Sequence, residues 1–200
     1  MHYEGRYVNA RKGEELKNTS KIKLLYFIRP WALLLSFVVL SLLLRQSVPT
    51  EVQRIEAVLS EHHFSLVGLE RERFAQLLIQ TSQKLKLDPL LVLAVMKVES
   101  GFRTQVVSNR GAIGLLQIKP VAAEEVSRQY AVSFNSKKDL FDPHKNVVIG
   151  IHYLAHLNSL FGQDTNKMLT AYNMGPTAVK KIRTLPLKYA HKVLRAYNGF

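Results

Sequence analysis

Apolar side chains recur at intervals of three and four residues along most of the chain after residue 50, which is the pattern of amphipathic helices. Thr50 and Gln53 form a capping box at the start of the first helix. Ile55 and Leu59 lie on its apolar face. Further helices are predicted over residues 71–87, 89–100, 120–130, 143–161, 166–174, 176–184 and 187–197. No alternating pattern predicts more than a small hairpin within 108–118, so the predicted fold class is mostly α.

The helix over 89–100 differs from the others because it is apolar almost all round. Asp88 precedes it as an N-cap, Pro89 occupies its first position and Gly101 ends it, each a favoured residue at that place. An apolar helix of this kind has no face to expose to water. We therefore expect it to lie at the centre of the fold, with Glu99 in its last turn.

The first 45 residues have a different pattern, which is typical of a membrane anchor. Residues 1–23 are basic, and residues 24–44 are a run of 21 residues with Arg29 as its one charged side chain. As a helix this run is about 31 Å long, which suffices to span a bilayer. Upstream basic residues keep the N-terminus in the cytoplasm, so the segments after Arg45 are expected outside it. The alternative is a cleaved signal peptide, although no small-x-small cleavage site follows the run.

These patterns divide the chain into four segments. They are a basic cytoplasmic tail at 1–23, a transmembrane signal-anchor at 24–44, a juxtamembrane linker or helix at 45–70 and one folded domain at 71–200. The 150 residues from Glu51 onward are enough to bury about two-thirds of their unfolded surface in a single core.

Charge and composition narrow the classes of partner. The net charge is +13, which favours a polyanionic partner such as a cell-wall polymer, a membrane surface or nucleic acid, but scattered solubilising charge fits equally well. The basic stretch 180–195 lacks a recognisable docking element for nucleic acid, so no nucleic-acid partner is expected. The chain has no cysteine, which excludes disulfides, a thiolate metal site and a lipidated N-terminal cysteine.

Two histidines have the spacing of a zinc pair. His152 and His156 are four residues apart on a predicted helix. The glutamate of the metalloprotease motif HExxH does not stand between them, and no third ligand is evident. We therefore expect them on a helix surface or between helices, with no metal bound.

Glu99 has the setting of a carboxyl group with a raised pKa. It lies in the last turn of a helix, where the negative end of the helix dipole disfavours a further negative charge. Val95 and Met96, one turn back, are apolar and disfavour the ionised form further. A raised pKa suits a general acid near neutral pH, although these local features also fit an ordinary solvated glutamate at a helix end.

Five blocks stand in order along the domain: ESGF at 99–102, SNRGAIGLLQ at 108–117, NVVIG at 146–150, AYNMGP at 171–176 and KYAHKV at 188–193. They closely resemble the motifs of the lytic transglycosylases with a goose-lysozyme-like catalytic domain of the soluble-lytic-transglycosylase type. The resemblance covers about residues 72–195 and implies a lysozyme-like helical domain. Leu116 stands where the family usually has methionine, and the acidic residue that often precedes the late tyrosine is absent before Tyr189.

The resemblance implies cleavage of the β-1,4 bond between N-acetylmuramic acid and N-acetylglucosamine in peptidoglycan glycan strands, which leaves a 1,6-anhydromuramic acid end. It implies Glu99 as the single general acid and base, with no cofactor. With the N-terminal anchor, it implies a periplasmic catalytic domain at the inner membrane; the alternative is a periplasmic protein after signal cleavage. A hydrolytic lysozyme-type muramidase and a catalytically silent wall-binding module remain alternative functions, and no envelope assembly partner is identified.

The family's motif residues carry over to positions in this chain. Substrate contacts are expected of Ser100, Ser108, Gln117, Tyr172, Asn173 and Tyr189. Gly111 and Gly114 are expected to allow a tight loop close to the ligand. For Gln117, an amide that ties down this loop is an equal alternative, and for Tyr189 the alternative is core packing.

A glycosidase with two acids needs a second carboxylate across the scissile bond from the first. Asp88 lies at the other end of the helix from Glu99. Glu124 and Glu125 are expected to be first-turn partners of the dipole of the helix that begins at Pro120. The sequence therefore presents no second carboxylate beside Glu99, which agrees with a single acid and base.

Overall fold

The computed structural model describes residues 35, 36 and 49–200. Within 49–200 the chain forms eight α-helices and one 3₁₀ helix. The α-helices are α1 (Glu51–Glu61), α2 (Gly68–Lys84), α3 (Pro89–Glu99), α4 (Pro120–Tyr130), α5 (Pro143–Leu160), α6 (Thr165–Met174), α7 (Pro176–Lys181) and α8 (Lys188–Tyr197). The 3₁₀ helix (Lys137–Phe141) lies between α4 and α5. The mostly helical fold class is confirmed.

Helix starts lie where local capping chemistry predicts them. Thr50 and Gln53 form the reciprocal capping box of α1. Asp88 and Asp142 each accept a hydrogen bond from a backbone amide in the first turn of α3 and α5, and both helices have proline at their first position. Helix ends are less well predicted: α7 ends at Lys181, three residues before the predicted end.

The helix α3 lies at the centre of the folded unit, as its all-apolar pattern predicts. Val92, Leu93, Ala94, Val95 and Met96 are at most 1% exposed. Helix α8 packs along α3 in the most extensive helix pairing of the described residues, and α6 packs on both α5 and α8. Because the interior holds α3 on several sides, its C-terminal end has a fixed position.

Helix α1 belongs to this folded unit, although it lies in the segment assigned to a juxtamembrane linker or helix. Ile55 and Leu59 are fully buried in the same core as α3, and α1 packs against α2. Gln83 Nε2 on α2 also donates to Glu51 Oε2 at 2.8 Å. The compact unit therefore spans residues 50–200, and it begins well before the domain start predicted at residue 71.

The connection from α3 to α4 is a compact loop with little regular structure. Two isolated antiparallel bridges pair Ile113 with Val107 and with Ile118, which corresponds to the small hairpin expected in this stretch. Gly111 and Gly114 have positive φ angles of 74° and 78°, values that L side chains rarely adopt. These glycines fold the loop back on itself, as expected from the sequence.

The predicted membrane span lies almost entirely outside the described residues. Leu35 and Ser36, which are inside it, are helical, and the basic tail at 1–23 is not described. In the part of the chain that the structure does describe, no helix combines the length and hydrophobicity needed to cross a bilayer. The single-pass anchor stays a prediction from sequence.

Candidate active site

Glu99 lies at the last position of α3, where it meets Tyr189 from α8. Tyr189 Oη donates a hydrogen bond to Glu99 Oε1 at 2.5 Å, a short distance of the kind seen when the acceptor is a carboxylate. This contact joins two residues that are 90 positions apart in the sequence. It exists because α8 packs along α3, so the pairing of these helices sets the orientation of the carboxyl group.

The surroundings of Glu99 push its pKa in opposite directions. Burial raises the pKa of this carboxyl group, and this is the largest effect. The hydrogen bond from Tyr189 and the positive charge of Lys192 lower it, because both favour the ionised form. The net pKa is raised, as the sequence predicted, so Glu99 retains a proton to a higher pH than an exposed glutamate does.

The loop beside Glu99 is fixed by two residues of α5 that lie one turn apart. Asn146 is fully buried; its Oδ1 accepts from Leu116 N at 2.9 Å, and its Nδ2 donates to Ile113 O and to Leu140 O. At Gly150 the backbone meets Leu116 so closely that a Cβ atom would lie 2.3 Å from its Cδ1. This explains why the NVVIG block contains both an asparagine and a glycine.

A cavity of about 600 Å³ opens at Glu99. Five of the residues expected at the site line it: Glu99, Ser108, Gln117, Tyr172 and Asn173. They come from α3, from the loop before α4 and from the end of α6. The structure therefore brings together the three sequence blocks at 99–102, 108–117 and 171–176.

Two polar residues of the loop line the cavity and also form hydrogen bonds within the loop. Ser108 Oγ accepts from Ala112 N at 3.0 Å. Gln117 Nε2 donates to Val106 O at 3.2 Å and to Gly114 O at 2.9 Å. Gln117 therefore ties down the loop, as the alternative interpretation expected, while it also lines the cavity.

Aromatic side chains form another wall of the cavity. Tyr172 Oη donates to Leu116 O at 2.6 Å, and its ring lies 5.6 Å from that of Tyr153. Both tyrosines line the cavity. Burial raises the pKa of each, so both hydroxyl groups stay protonated at neutral pH. Tyr153 received no role from the sequence, although it follows the NVVIG block on the same helix.

Four of the predicted site residues are not among the residues that line the cavity. Ser100 is 1% exposed and its Oγ donates to Met96 O at 3.2 Å, so its hydroxyl group serves the end of α3. Gly111 and Gly114 shape the loop. Tyr189 reaches the site through its hydrogen bond to Glu99.

Sequence reasoning missed three charged residues that line the cavity: Arg110, Lys119 and Glu125. The first-turn role assigned to Glu124 and Glu125 is wrong. Helix α4 begins at Pro120, as predicted, but these two residues lie in its second turn. The negative charge of Glu125 raises the pKa of Tyr153, although burial raises it more. The pKa of Glu99 is instead lowered by Tyr189 and Lys192. The two carboxyl groups thus share a cavity but have different electrostatic neighbours.

The two spaced histidines contact an aromatic residue of a neighbouring helix. His156 Nδ1 and Tyr130 Oη are 2.9 Å apart, and the His152 ring lies 5.8 Å from the ring of Tyr130. His152 Nδ1 also bonds to Val148 O at 2.8 Å. These contacts join α5 to the end of α4, which is one of the two positions expected. Among residues 35, 36 and 49–200, no group of three or more potential ligands could hold a metal ion.

Comparison with known families and sequences adds to this geometry. The family model described as "Transglycosylase SLT domain" matches residues 76–198. The chain is similar to membrane-bound lytic murein transglycosylase C from Cronobacter sakazakii, with 38% identity over 112 residues that cover 52% of this chain and 31% of that protein. The chain spans about a third of the length of the curated relatives it matches.

Solved structures are also similar to part of this chain. The 70-kDa soluble lytic transglycosylase SLT70 from Escherichia coli gives a TM-score of 0.58 at 27% identity, over 64% of this chain and 24% of that one. An inactive mutant of the lytic transglycosylase Slt from Pseudomonas aeruginosa gives 0.51 at 26% identity, over 60% of this chain and 21% of that one. In that mutant a glutamate is replaced by glutamine. The lysozyme-like character of the helical domain rests on these likenesses.

Proposed function

Because the chain belongs to the transglycosylase SLT domain family, we propose that it is a peptidoglycan lytic transglycosylase. Its substrate is the β-1,4 bond between N-acetylmuramic acid and N-acetylglucosamine, and its product carries a 1,6-anhydromuramic acid end. The single observation that carries this proposal is the half-buried Glu99, with its raised pKa and its hydrogen bond from Tyr189, at the wall of an open cavity.

In the proposed reaction Glu99 acts twice. Protonated Glu99 first gives its proton to the glycosidic oxygen, and the bond from that oxygen to muramoyl C1 breaks. The resulting carboxylate then takes the proton of the muramoyl C6 hydroxyl group, whose oxygen forms the new bond to C1. The carboxyl group ends as it began, and no water is consumed. A raised pKa supports the first step, and the bond from Tyr189 supports the second by stabilising the carboxylate.

The walls of the cavity support a glycan substrate. Ser108, Gln117 and Asn173 offer polar groups, and Tyr153 and Tyr172 offer aromatic surface. Such walls suit a sugar because its faces are apolar and its rim carries hydroxyl groups. We assign substrate contacts to Ser108, Gln117, Tyr172 and Asn173 on this basis, and we assign Tyr189 the role of orienting Glu99.

One observation favours a second candidate, a hydrolytic muramidase on the same fold. Glu125 lines the same cavity as Glu99, and inverting glycosidases use a second carboxylate to activate water. Against it, Glu125 is exposed on α4 and influences Tyr153 and Tyr130, whereas Glu99 responds to Lys192. We therefore prefer the mechanism with a single carboxyl group.

We further propose that the catalytic domain lies in the periplasm, held at the inner membrane by the segment at 24–44. The basic residues before this segment support a cytoplasmic N-terminus. The names of curated relatives describe those proteins as membrane-bound. Helix α1 packs within the folded unit, so this unit begins at residue 50.

The proposal is tested by digesting purified peptidoglycan with the full chain and identifying the released muropeptides by mass spectrometry. Anhydromuramic ends are the expected product. Muramic acid with free reducing ends would instead support the muramidase. Binding to the wall without release of any fragment would support the silent wall-binding module.

Tyr189→Phe removes the hydrogen bond to Glu99 without removing the ring. The bond favours the ionised form of Glu99, so its loss raises the pKa of this carboxyl group further. Glu99 must be protonated to begin the reaction, so the alkaline limb of the pH–rate profile is expected to move to higher pH. The maximal rate is expected to fall about 10-fold, since the carboxyl group loses its orienting partner. Initial rates measured across the pH–rate profile of wild type and variant check this; an alkaline limb that moves to lower pH would contradict it.

A further inference from the structure

The turn that follows Glu99 has an unusual backbone. Arg103 N donates to Ser100 O at 3.4 Å, and the two residues between them, Gly101 and Phe102, have φ angles of 59° and 63°. Positive φ at both central positions is the geometry of a type I′ turn, which favours glycine and asparagine. A bulky side chain in this region is strained, and it persists only where the surroundings hold it.

The side chain of Phe102 is held by a residue from a distant part of the chain. His62, directly after α1, stacks on Phe102 with a distance of 4.9 Å between ring centroids and an angle of 11° between planes. Phe102 is 3% exposed and belongs to the main core. The position of His62 is in turn fixed by its backbone amide, which donates to Val58 O at 3.2 Å.

The state of the His62 ring suits this contact. Burial lowers the pKa of His62 most, and the nearby charge of Lys97 lowers it next. Glu61 raises this pKa to a smaller degree, and His63 lowers it slightly. The imidazole is therefore neutral at neutral pH. The Phe200 ring lies edge-on to His62 at 6.4 Å, so the stack on Phe102 is the closest ring contact that His62 makes.

We propose that His62 is a positioning residue for Glu99: by stacking on Phe102 it holds the strained turn that ends α3 and so fixes the catalytic carboxyl group. Phe102 lies three positions after Glu99 along the backbone. Ser100, between them, bonds to Met96 of α3 through both its amide and its hydroxyl group. The proposal rests on the proposed function of Glu99. It gives α1 a part in the chemistry in addition to its part in the core.

Kinetics of the full chain on soluble glycan strands test this proposal. In His62→Ala, kcat is expected to fall about 10-fold with KM within about 2-fold of wild type, because displacement of a reacting group affects the chemical step more than binding. His62→Phe retains an aromatic ring and is expected to restore kcat to within about 2-fold of wild type. His63→Asn is the matched control; its side chain is exposed, and asparagine accepts the positive φ of 53° found there. It is expected to retain full activity.

A second pair of measurements keeps the proposal testable if His62→Ala folds poorly. Phe102→Leu keeps an apolar side chain but removes the ring, and it is expected to lower kcat as much as His62→Ala does. The double variant is expected to be no slower than either single one, because both changes break the same contact. Hydrogen exchange at the amides of residues 100–103 is expected to quicken at least about fivefold in His62→Ala and to stay unchanged in His63→Asn.

Three results would overturn the positioning role. They are an unchanged kcat in folded His62→Ala, a His62→Phe variant as slow as His62→Ala, and additive losses in the double variant. If wild-type protein released no product, the proposed function would fail, and the exchange measurement alone would then decide whether His62 holds the turn.

Discussion

Glu99→Gln is expected to lower the rate of peptidoglycan digestion by at least about 10³-fold, since the amide can neither give nor take the proton that both steps require. The fold is expected to persist. Glutamine has nearly the same shape, and its side-chain oxygen can still accept the hydrogen bond from Tyr189. Release of soluble muropeptides measures the first effect, and thermal unfolding followed by circular dichroism measures the second.

Glu125→Gln is the matched control for this experiment, because Glu125 is the other carboxyl group among the residues that line the cavity. With a single acid and base at Glu99, this variant is expected to retain activity to within about 10-fold of wild type. If Glu125→Gln lost as much activity as Glu99→Gln, a mechanism with two carboxylates would be favoured. A Glu99→Gln variant with near-normal activity would remove Glu99 from the chemistry.

Gly114→Ala is expected to destabilise the folded unit by about 4 kcal/mol or more, which is the range of severe substitutions. A Cβ atom at this position would lie 2.2 Å from the Leu140 carbonyl oxygen and 2.3 Å from Asn146 Nδ2. The first is backbone, and the second is a fully buried amide with three hydrogen bonds. Neither can move without loss of the contacts that fix the loop beside Glu99. The φ of 78° adds further strain.

Gly111→Ala is the matched control for the Gly114 variant. Gly111 has a similar φ of 74°, but a Cβ atom there would meet nothing within 4 Å. Gly111→Ala is expected to lower the free energy of unfolding by about 1–2 kcal/mol, which is the cost of placing an L side chain in the left-handed backbone region. Urea denaturation of both variants separates the two effects; equal losses of stability would show that contact with Asn146 does not matter.

The parts of the fold that were predictable from sequence depend on neighbouring residues. Asp88 with Pro89 and Asp142 with Pro143 mark helix starts because a cap acts within one turn. The central place of α3 was predictable because a helix that is apolar all round must be buried. The direction of the pKa shift of Glu99 was predictable because Val95 and Met96, one turn back, are apolar, and apolar surroundings disfavour the ionised form.

The remaining features depend on contacts between distant segments, which a local pattern does not contain. Gly68 lies in the segment assigned to a juxtamembrane linker or helix, and it begins α2 with a φ of 55°. Ile55 and Leu59 are buried in the main core, and this burial makes α1 part of the folded unit. The same holds for Asn146, whose side chain bonds to residues up to 33 positions away.

The candidate site divides in a similar way. The family motifs indicated which blocks meet, and Ser108, Gln117, Tyr172 and Asn173 do line one cavity with Glu99. They did not indicate the contact that each side chain makes. Ser100 is buried at the end of α3. Glu125, which lies in the second turn of α4 and not in the first, is one of the residues that line the cavity.

In the proposed mechanism, Glu99 directs an intramolecular closure and not a hydrolysis. Digestion of peptidoglycan in water labelled with the heavy oxygen isotope, followed by mass spectrometry of the new muramoyl ends, tests it most directly. We expect ends that are one water lighter than a reducing sugar and carry no label, formed by wild type and not by Glu99→Gln. Labelled reducing ends that depend on Glu99 would contradict it.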